Sequence, residues 1–105
     1  MRITVSHERT KAEVIQAVDS SFHDLFSKAA QLPVTINVQQ RTWQGDTLVF
    51  ALTARYGLLS TPIRGTVAVT DHDVTLDVDL GIFNRFISEQ KAREAIGDRV
   101  KGLLR

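Results

Sequence analysis

The clearest pattern of apolar and polar residues in this chain lies between positions 65 and 80. From Gly65 to Thr70 the side chains alternate, and the alternation resumes after the polar break Asp71-His72-Asp73 and continues to Leu80. Successive side chains of a β-strand point to opposite faces, so this period of two predicts two antiparallel strands joined by a tight turn. Each strand then has one buried face and one polar face.

The register of this hairpin follows from centring its turn on Asp71 and His72. Apolar residues then face apolar residues or glycine on one side of the sheet, and polar residues face polar residues on the other. A slip of one residue would turn the whole apolar set towards solvent, so the register is strongly specified. The predicted pairs are Val69–Val74, Val67–Leu76 and Ile63–Leu80 on the buried face, and Arg64–Asp79 and Thr66–Asp77 on the polar face.

The N-terminal third predicts a short strand followed by a long amphipathic helix. Arg2–Ser6 alternates and is brief, which is typical of an edge strand. The strand ending at Leu80 is a candidate neighbour, although alternation alone does not decide this. Thr10 and Glu13 have the spacing of a capping box, and Leu32-Pro33 ends the helix that follows. Its apolar stripe is Val14, Ile15, Val18, Phe22, Leu25, Phe26 and Ala29.

The middle of the chain predicts two more strands, one on each side of a loop. Residues 34–39 alternate, with valine and isoleucine at the even positions, and residues 48–52 resume the pattern. Matching the two apolar faces leaves Trp43-Gln44-Gly45 as a three-residue loop, with Gly45 in the left-handed bulge position. The predicted pairs are Val38–Phe50 and Ile36–Leu52.

A further hairpin connects these strands to the one described first. The strand that begins near Leu48 continues to about Arg55, and a turn at residues 56–59 leads to the strand that contains Ile63. Proline cannot donate a hydrogen bond to a β-ladder. We therefore expect regular pairing to begin only after Pro62.

The C-terminal segment predicts a second amphipathic helix. Ser88 is a candidate cap, and Gly97 weakens the helix by about 1 kcal/mol relative to alanine. The apolar positions are Ala92, Ala95, Ile96, Val100, Leu103 and Leu104.

The predicted order of elements is β-α-β-β-β-β-α, in one domain over residues 1–105. This order indicates an α+β fold of two layers, with an antiparallel sheet of about five strands and two helices on one face. By its element order it resembles a reduced helix-grip arrangement.

Composition excludes several classes of function. The formal net charge of the 105 residues is +1 with both signs interspersed, which gives no reason to expect nucleic acid or an anionic membrane as partner. The absence of cysteine excludes disulfides, thiolate nucleophiles and cysteine-based metal sites. The N-terminus lacks a signal-peptide core and no apolar run is long enough to span a membrane, so we expect a cytoplasmic protein.

Candidate chemistry is sparse. His7, His23 and His72 each lie beside a carboxylate, which is typical of solvated surface histidines. The cluster Asp71-His72-Asp73, with Asp77 and Asp79 nearby, could hold a divalent cation, but the same residue types suit a turn. No phosphate loop, nucleophile elbow or zinc motif is present. We therefore expect no catalytic residue, cofactor or metal.

The face of the predicted sheet that points away from the helices carries mostly small or uncharged residues. It is either a plain solvated face or the surface of a sheet-to-sheet homodimer. Trp43 is predicted on this side or in its loop, as an interface anchor or a lid. The residues assigned to this face are Thr35, Asn37, Gln39, Arg41, Val49, Ala51, Thr53, Thr66, Ala68 and Thr75.

The sequence places an unusually large number of apolar residues in two connections at one end of the sheet. The turn at residues 55–59 and the strand ending at Leu80-Gly81 lie at the same end, so the residues of both connections converge. Some of them must cover the open end of the core, and the rest form a contact patch, rimmed by Arg55, Arg64 and Arg85. The candidate patch is Tyr56, Leu58, Leu59, Ile82, Phe83 and Phe86.

Several segments together resemble the polyhydroxyalkanoic acid system family of small bacterial proteins. They are ITVSH at 3–7, WQGDTLVF at 43–50, RGTVAVTDHDVTLDVDLG at 64–81, an F-x-x-F segment at 83–86 and an amphipathic tail helix. The resemblance implies a location, at polyhydroxyalkanoate granules or their biosynthetic machinery, and brings no catalytic residues.

Two functions follow as expectations. The first is a non-catalytic accessory protein that associates with the granule surface or with a granule-associated protein. The second is a small apolar-ligand-binding domain with a cavity between the sheet and helix one. Bulky core residues such as Phe22 and Phe50 leave little room for such a cavity and favour the first function.

Overall fold

The computed structural model describes residues 1–29, 35–81 and 88–104. The order of elements matches the prediction. The predicted helix end at Leu32-Pro33, the first strand residue Val34 and the segment 82–87 lie outside the described residues. The elements are β1 (Arg2–Ser6), α1 (Lys11–Ala29), β2 (Thr35–Gln44), β3 (Thr47–Tyr56), β4 (Leu59–Val69), β5 (Asp73–Asp79) and α2 (Glu89–Leu103).

The five strands form one antiparallel sheet in the order β1-β5-β4-β3-β2. This confirms the α+β fold and places β1 at the edge, beside β5. Ile3 pairs with Leu76 and Val5 with Val74, so the apolar side of β1 extends the buried face of its neighbour. The described part of the sheet therefore ends at β1 on one side and at β2 on the other.

The predicted register of the β4–β5 hairpin is confirmed over β5. Val69 faces Val74, Val67 faces Leu76 and Arg64 faces Asp79. The turn is closed by the backbone amide of Thr70, which donates to the carbonyl of Asp73 at 2.9 Å. The sequence pattern was sufficient to predict this register, because any slip by one residue would turn the apolar side chains of a strand to the polar face of the sheet.

The predicted register of β2 against β3 is wrong by two residues. Val38 faces Leu52 and Ile36 faces Ala54, and the connection is a two-residue turn at Gly45 and Asp46. Up to Val38 both registers direct Ile36 and Val38 towards the core, because a shift of two residues preserves the alternation of faces. Gly45 does have the predicted positive φ, of 62°, but the loop is one residue shorter than expected.

In the paired region β2 has one residue more than β3, and a β-bulge between Val38 and Gln40 accommodates it. A bulge places two residues opposite one and reverses the facing of the residues that follow. Arg41 and Trp43 consequently point towards α1, so their predicted place on the outer side of the sheet is wrong. Trp43 also pairs with Leu48 within the strand and is not part of a loop.

These two inward residues fasten β2 to α1 through Asp19. The Asp19 carboxylate accepts hydrogen bonds from Trp43 Nε1 at 3.0 Å and from Arg41 Nη2 at 2.7 Å. The guanidinium carbon of Arg41 also lies 5.1 Å from the centroid of the Phe22 ring, within the range of a cation–π contact. The bulge thus provides two side-chain anchors between the edge strand and the helix.

Pairing of β4 begins at Leu59, which contradicts the expectation that it starts after Pro62. Tyr56 faces Leu59 across the turn, and Thr53 faces Pro62. In an antiparallel pair, mutually hydrogen-bonded residues alternate with residues that make no mutual bond. Tyr56 and Leu59 form the hydrogen-bonded pair that closes the turn, so Thr53 and Pro62, three pairs further on, form a non-bonded pair. Pro62 therefore does not need a backbone N–H to pair with β3. On the other side of β4, no residue of β5 pairs with Pro62, because the last β4–β5 pair is Arg64 with Asp79.

The core lies between one face of the sheet and the two helices. Phe22 and Phe50 are fully buried and meet edge to face, with their ring centroids 5.1 Å apart. Gly65 makes room for this contact: a Cβ there would lie 2.9 Å from Phe50 Cζ and collide with the Asp77 carbonyl. The helical side of the core consists of Val14, Val18 and Phe22 from α1, Ile96 and Val100 from α2, and Leu104, the C-cap residue of α2.

The capping box of α1 is confirmed. The amide of Glu13 donates to Thr10 Oγ1 at 3.2 Å, and the amide of Thr10 donates to Glu13 Oε1 at 3.3 Å. Hydrogen bonds from the Thr10 side chain and backbone lower the pKa of Glu13. Ser88 is the N-cap residue of α2 as predicted, but its side chain makes no capping hydrogen bond to the described first turn.

We predict that Leu76→Asp unfolds the chain, whereas Thr53→Asp does not. Leu76 is buried against β1 and β4, and burial of a leucine side chain contributes about 1.5–3 kcal/mol. The aspartate would lose that contribution and bury a charge, in a domain whose total stability is on the order of 5–15 kcal/mol. Thr53 is half-exposed on the other face. Thermal melts followed by circular dichroism test this, and a cooperative melt of Leu76→Asp near that of the parent would contradict it.

We also predict an acid-sensitive contact between Asp19 and Trp43. Hydrogen bonds from Trp43 and then Arg41 lower the pKa of Asp19 in the folded chain. Its stabilising contribution is therefore complete above the ordinary aspartate pKa of about 3.9 and is lost as the pH falls through the lower folded value. Trp43 is the only tryptophan, so its fluorescence should change in that acid range.

The matched control for this prediction is Asp19→Asn. It retains an acceptor for the indole but removes the titrating charge. The variant should be less stable than the parent at neutral pH and should lose the acid-dependent change in fluorescence. Identical acid titrations of the two proteins would show that Asp19 does not govern the contact.

Candidate functional site

The exposed large apolar side chains among the described residues are all in one turn, between β3 and β4. Leu58 is fully exposed, at 104% relative accessibility, and Tyr56 and Leu59 are 39% and 38% exposed. We call these three residues the apolar turn. Single exposed apolar residues are ordinary, but three in one four-residue turn form a patch of the kind that marks a contact site.

The apolar turn has a defined conformation. Tyr56 pairs directly with Leu59, which leaves Gly57 and Leu58 as the two turn residues. Gly57 has a φ of +60°, a conformation that favours glycine and is common in two-residue hairpin turns. The turn is thus anchored by the adjoining ladder, and Leu58 stands at its tip.

The two faces of the hairpin differ in polarity near the apolar turn. Tyr56 and Leu59 continue the alternation that buries Ala54 and Thr61, so they lie on the helix side of the sheet. Arg55 and Ser60 face each other on the opposite side. The end of the hairpin therefore presents an apolar side and a polar side with one cation.

The predicted cationic rim is only partly present at this site. Arg55 directly precedes the apolar turn, whereas Arg64 is four residues beyond Ser60, about 13 Å along the strand. Both arginines are exposed, and neither forms an ion pair with another described residue. Arg85, the third predicted member, lies outside the described residues.

The end of β5 lies close to the same hairpin. At Gly81, where φ is +59°, a Cβ would collide with Thr61 Oγ1 and lie 2.9 Å from the carbonyl oxygen of Pro62. The chain therefore leaves the sheet two to three residues from Leu59. Ile82, Phe83 and Phe86 follow but lie outside the described residues, so their convergence with the apolar turn stays a prediction.

His7 is buried, which contradicts the expectation of a solvated surface histidine. Its Nδ1 accepts a hydrogen bond from the Arg9 amide at 3.1 Å, and its Nε2 lies 2.9 Å from the carbonyl oxygen of Thr70. A nitrogen that accepts carries no proton, so Nε2 holds the proton and donates to Thr70. His7 thereby joins the end of β1 to the β4–β5 turn. His23 and His72 are exposed, as expected.

The oxygen-rich cluster of the β4–β5 turn is engaged in local hydrogen bonds. Thr70 Oγ1 accepts from the amides of His72 and Asp73 and donates to Asp73 Oδ1 at 2.9 Å. Asp77 accepts from Arg2 at 3.0 Å across the β1–β5 pair. Within the described residues, no group of three or more histidine, aspartate or glutamate side chains has the geometry of a metal site.

The space between the sheet and α1 is occupied by side chains. Val14, Val18 and Phe22 are at most 1% exposed, and the Phe22 ring contacts Phe50. Over this described part of α1, the buried side chains themselves fill the space against the sheet. This packing does not support the alternative of an apolar-ligand cavity beneath α1.

No helix within the described ranges has both the length and the hydrophobicity to cross a bilayer.

One comparison with known proteins gives a match over nearly the whole chain. Residues 1–104 match the family model described as "Putative polyhydroxyalkanoic acid system protein (PHA_gran_rgn)". The matched range includes every strand, both helices and the apolar turn, and it confirms the resemblance seen in the sequence. No curated protein and no solved structure gave a significant match.

We expect the β4–β5 turn not to retain a divalent cation. Asp73 already accepts a hydrogen bond from the Thr70 hydroxyl, and Asp71 and His72 are exposed, with no enclosing shell of ligands among the described residues. Calorimetric titration with Mn²⁺ and with Zn²⁺ should give no saturable heat, in the parent chain and in Asp73→Asn alike. Stoichiometric binding that Asp73→Asn abolishes would overturn this expectation.

Proposed function

The chain belongs to the polyhydroxyalkanoic acid system protein family, and from this premise we propose that it is a non-catalytic accessory protein at polyhydroxyalkanoate granules. In this proposal it contacts the granule surface or a granule-associated protein in the cytoplasm. The observation that carries the proposal beyond the family is the apolar turn, which displays Tyr56, Leu58 and Leu59 on the outside of the fold.

The chemistry of the apolar turn suits an apolar polymer surface. Burial of a fully exposed leucine contributes about 1.5–3 kcal/mol, and the exposed parts of the three residues together contribute about 3–5 kcal/mol. Ordering and desolvation reduce that sum, so contact through this turn alone is weak and reversible. Arg55 lies at the border of the turn, where it can meet an anionic boundary layer without entering it.

The proposal assigns no catalytic activity to the chain because several of its polar residues have structural roles. Three of the described groups that could transfer protons or bind metals have a structural role instead. His7 fastens β1, Asp73 orders the β4–β5 turn and Asp77 pairs with Arg2. These engagements support an accessory role over an enzymatic one.

We predict that Leu58→Ser combined with Leu59→Ser reduces co-sedimentation with isolated granules by several-fold. The double variant removes apolar contact area at an exposed turn, so its circular dichroism spectrum and melting temperature should stay near those of the parent. The matched control is Leu58→Met combined with Leu59→Met, which retains apolar side chains and should retain co-sedimentation.

Two kinds of particle separate the possible contacts. Protein-free polyhydroxyalkanoate particles test direct contact with the polymer, and native granules add the surface proteins. Loss with both particles indicates the polymer, and loss with native granules alone indicates a granule protein. If the folded double serine variant co-sediments as the parent does in both cases, the apolar turn is not the contact.

A further inference from the structure

The apolar turn contains one side-chain hydrogen-bond donor, the hydroxyl of Tyr56. Tyr56 is 39% exposed, and its hydroxyl forms no hydrogen bond with a described residue. A tyrosine hydroxyl that is taken out of water ordinarily finds a hydrogen-bond partner. A surface that covers the Tyr56 ring must therefore offer an acceptor, or the hydroxyl loses its hydrogen bonds to water without replacement.

Tyr56 is placed where a contact made by the two leucines also covers its ring. It faces Leu59 directly across the hairpin, and directly opposed side chains of an antiparallel pair have Cβ atoms about 4.5–5.5 Å apart. Leu58 stands at the tip beside this pair and is fully exposed. A surface that buries Leu58 and Leu59 therefore removes the Tyr56 ring from water as well.

The hairpin that carries the apolar turn has no carboxylate or amide side chain. Residues 47–70, which include β3, the turn and β4, contain no aspartate, glutamate, asparagine or glutamine, and their polar side chains are those of arginine, tyrosine, serine and threonine. Among the β5 residues paired with β4, the carboxylate closest to the turn is Asp79, opposite Arg64 and about 13 Å along β4 from Ser60. The hairpin itself therefore supplies no carboxylate to compete for the Tyr56 donor, and no charge of that kind has to be desolvated when the turn is covered.

A polyester surface has the complementary chemistry. Each repeat of a polyhydroxyalkanoate chain carries an ester carbonyl, which accepts hydrogen bonds, together with apolar carbon groups, and the repeat has no donor. A hydrocarbon surface has the apolar groups without the acceptor. A site that covers a donor discriminates strongly against a partner that cannot pair with it, because the unpaired group is costly.

We propose that Tyr56 makes the apolar turn selective for a polyester surface: its hydroxyl donates to an ester carbonyl of the polymer while Leu58 and Leu59 lie against the apolar carbon groups. This inference rests on the proposed function and narrows it to direct contact with the polymer. The leucines supply the attraction to any apolar surface, and Tyr56 determines which apolar surface is preferred. Arg55, which faces Ser60 on the opposite side of the sheet, stays at the border of the contact.

Binding isotherms on two kinds of protein-free particle test the proposal: amorphous polyhydroxybutyrate and paraffin, matched in size. The parent should prefer polyhydroxybutyrate by about fivefold or more, which corresponds to one net hydrogen bond. Tyr56→Phe retains the ring and removes the hydroxyl. It should bind polyhydroxybutyrate several-fold more weakly and paraffin at least as strongly as the parent does, so that the preference is lost. An equal preference in the parent and in folded Tyr56→Phe overturns the proposal.

Two further variants assign the donor. Thr53→Val is the matched control, because it removes a hydroxyl from the half-exposed outer face of the same hairpin, away from the turn, and it should retain the preference for polyhydroxybutyrate. Arg55→Met removes the other nearby donor and should also retain the preference. If Arg55→Met abolishes the preference and Tyr56→Phe does not, the guanidinium is the donor and the assignment to Tyr56 is overturned.

The selectivity and the granule contact can fail independently. Leu58→Ser combined with Leu59→Ser should weaken binding to both kinds of particle, whereas Tyr56→Phe should change only their ratio. If the double serine variant releases granules and Tyr56→Phe leaves the ratio unchanged, the granule contact stands and the selectivity is overturned. A parent that binds native granules and neither kind of particle contacts a granule protein, which also overturns the selectivity. A parent that binds none of the three overturns both proposals.

Discussion

The pairing of β4 with β5 is the constraint on which the rest of this fold depends. It places Val67 and Leu76 together on the buried face, and the neighbouring strands extend that face on both sides. Both helices then cover the same side, because the apolar stripes of the helices and the strands must bury one another. The turn of this hairpin also receives His7, so the same pairing positions the end of β1.

Three polar side chains hold distant or irregular parts of the fold together. His7 joins β1 to the β4–β5 turn, Asp73 orders that turn, and Asp19 joins α1 to β2, each through hydrogen bonds of 2.9–3.0 Å. Among the described residues, the exposed large apolar side chains are those of the apolar turn.

The proposed granule contact does not require a partner of defined shape. Apolar side chains at the tip of a hairpin can insert into or lie on a surface that has no defined shape, since the hydrophobic effect is not directional.

The sequence by itself determined the features that depend on local periodicity. The β4–β5 register, the capping box at Thr10 and the apolar stripe of α1 as far as Phe22 follow from alternation and short-range spacing. Alternation could not distinguish registers that differ by two residues, so the β2–β3 register, and the bulge that turns Trp43 inward, were decided by tertiary contacts with Asp19. The burial of His7 was also beyond local pattern, because its partner Thr70 is 63 residues away. Local rules determine which face of a regular strand is buried, and only packing decides where a bulge reverses that face and which distant polar groups meet.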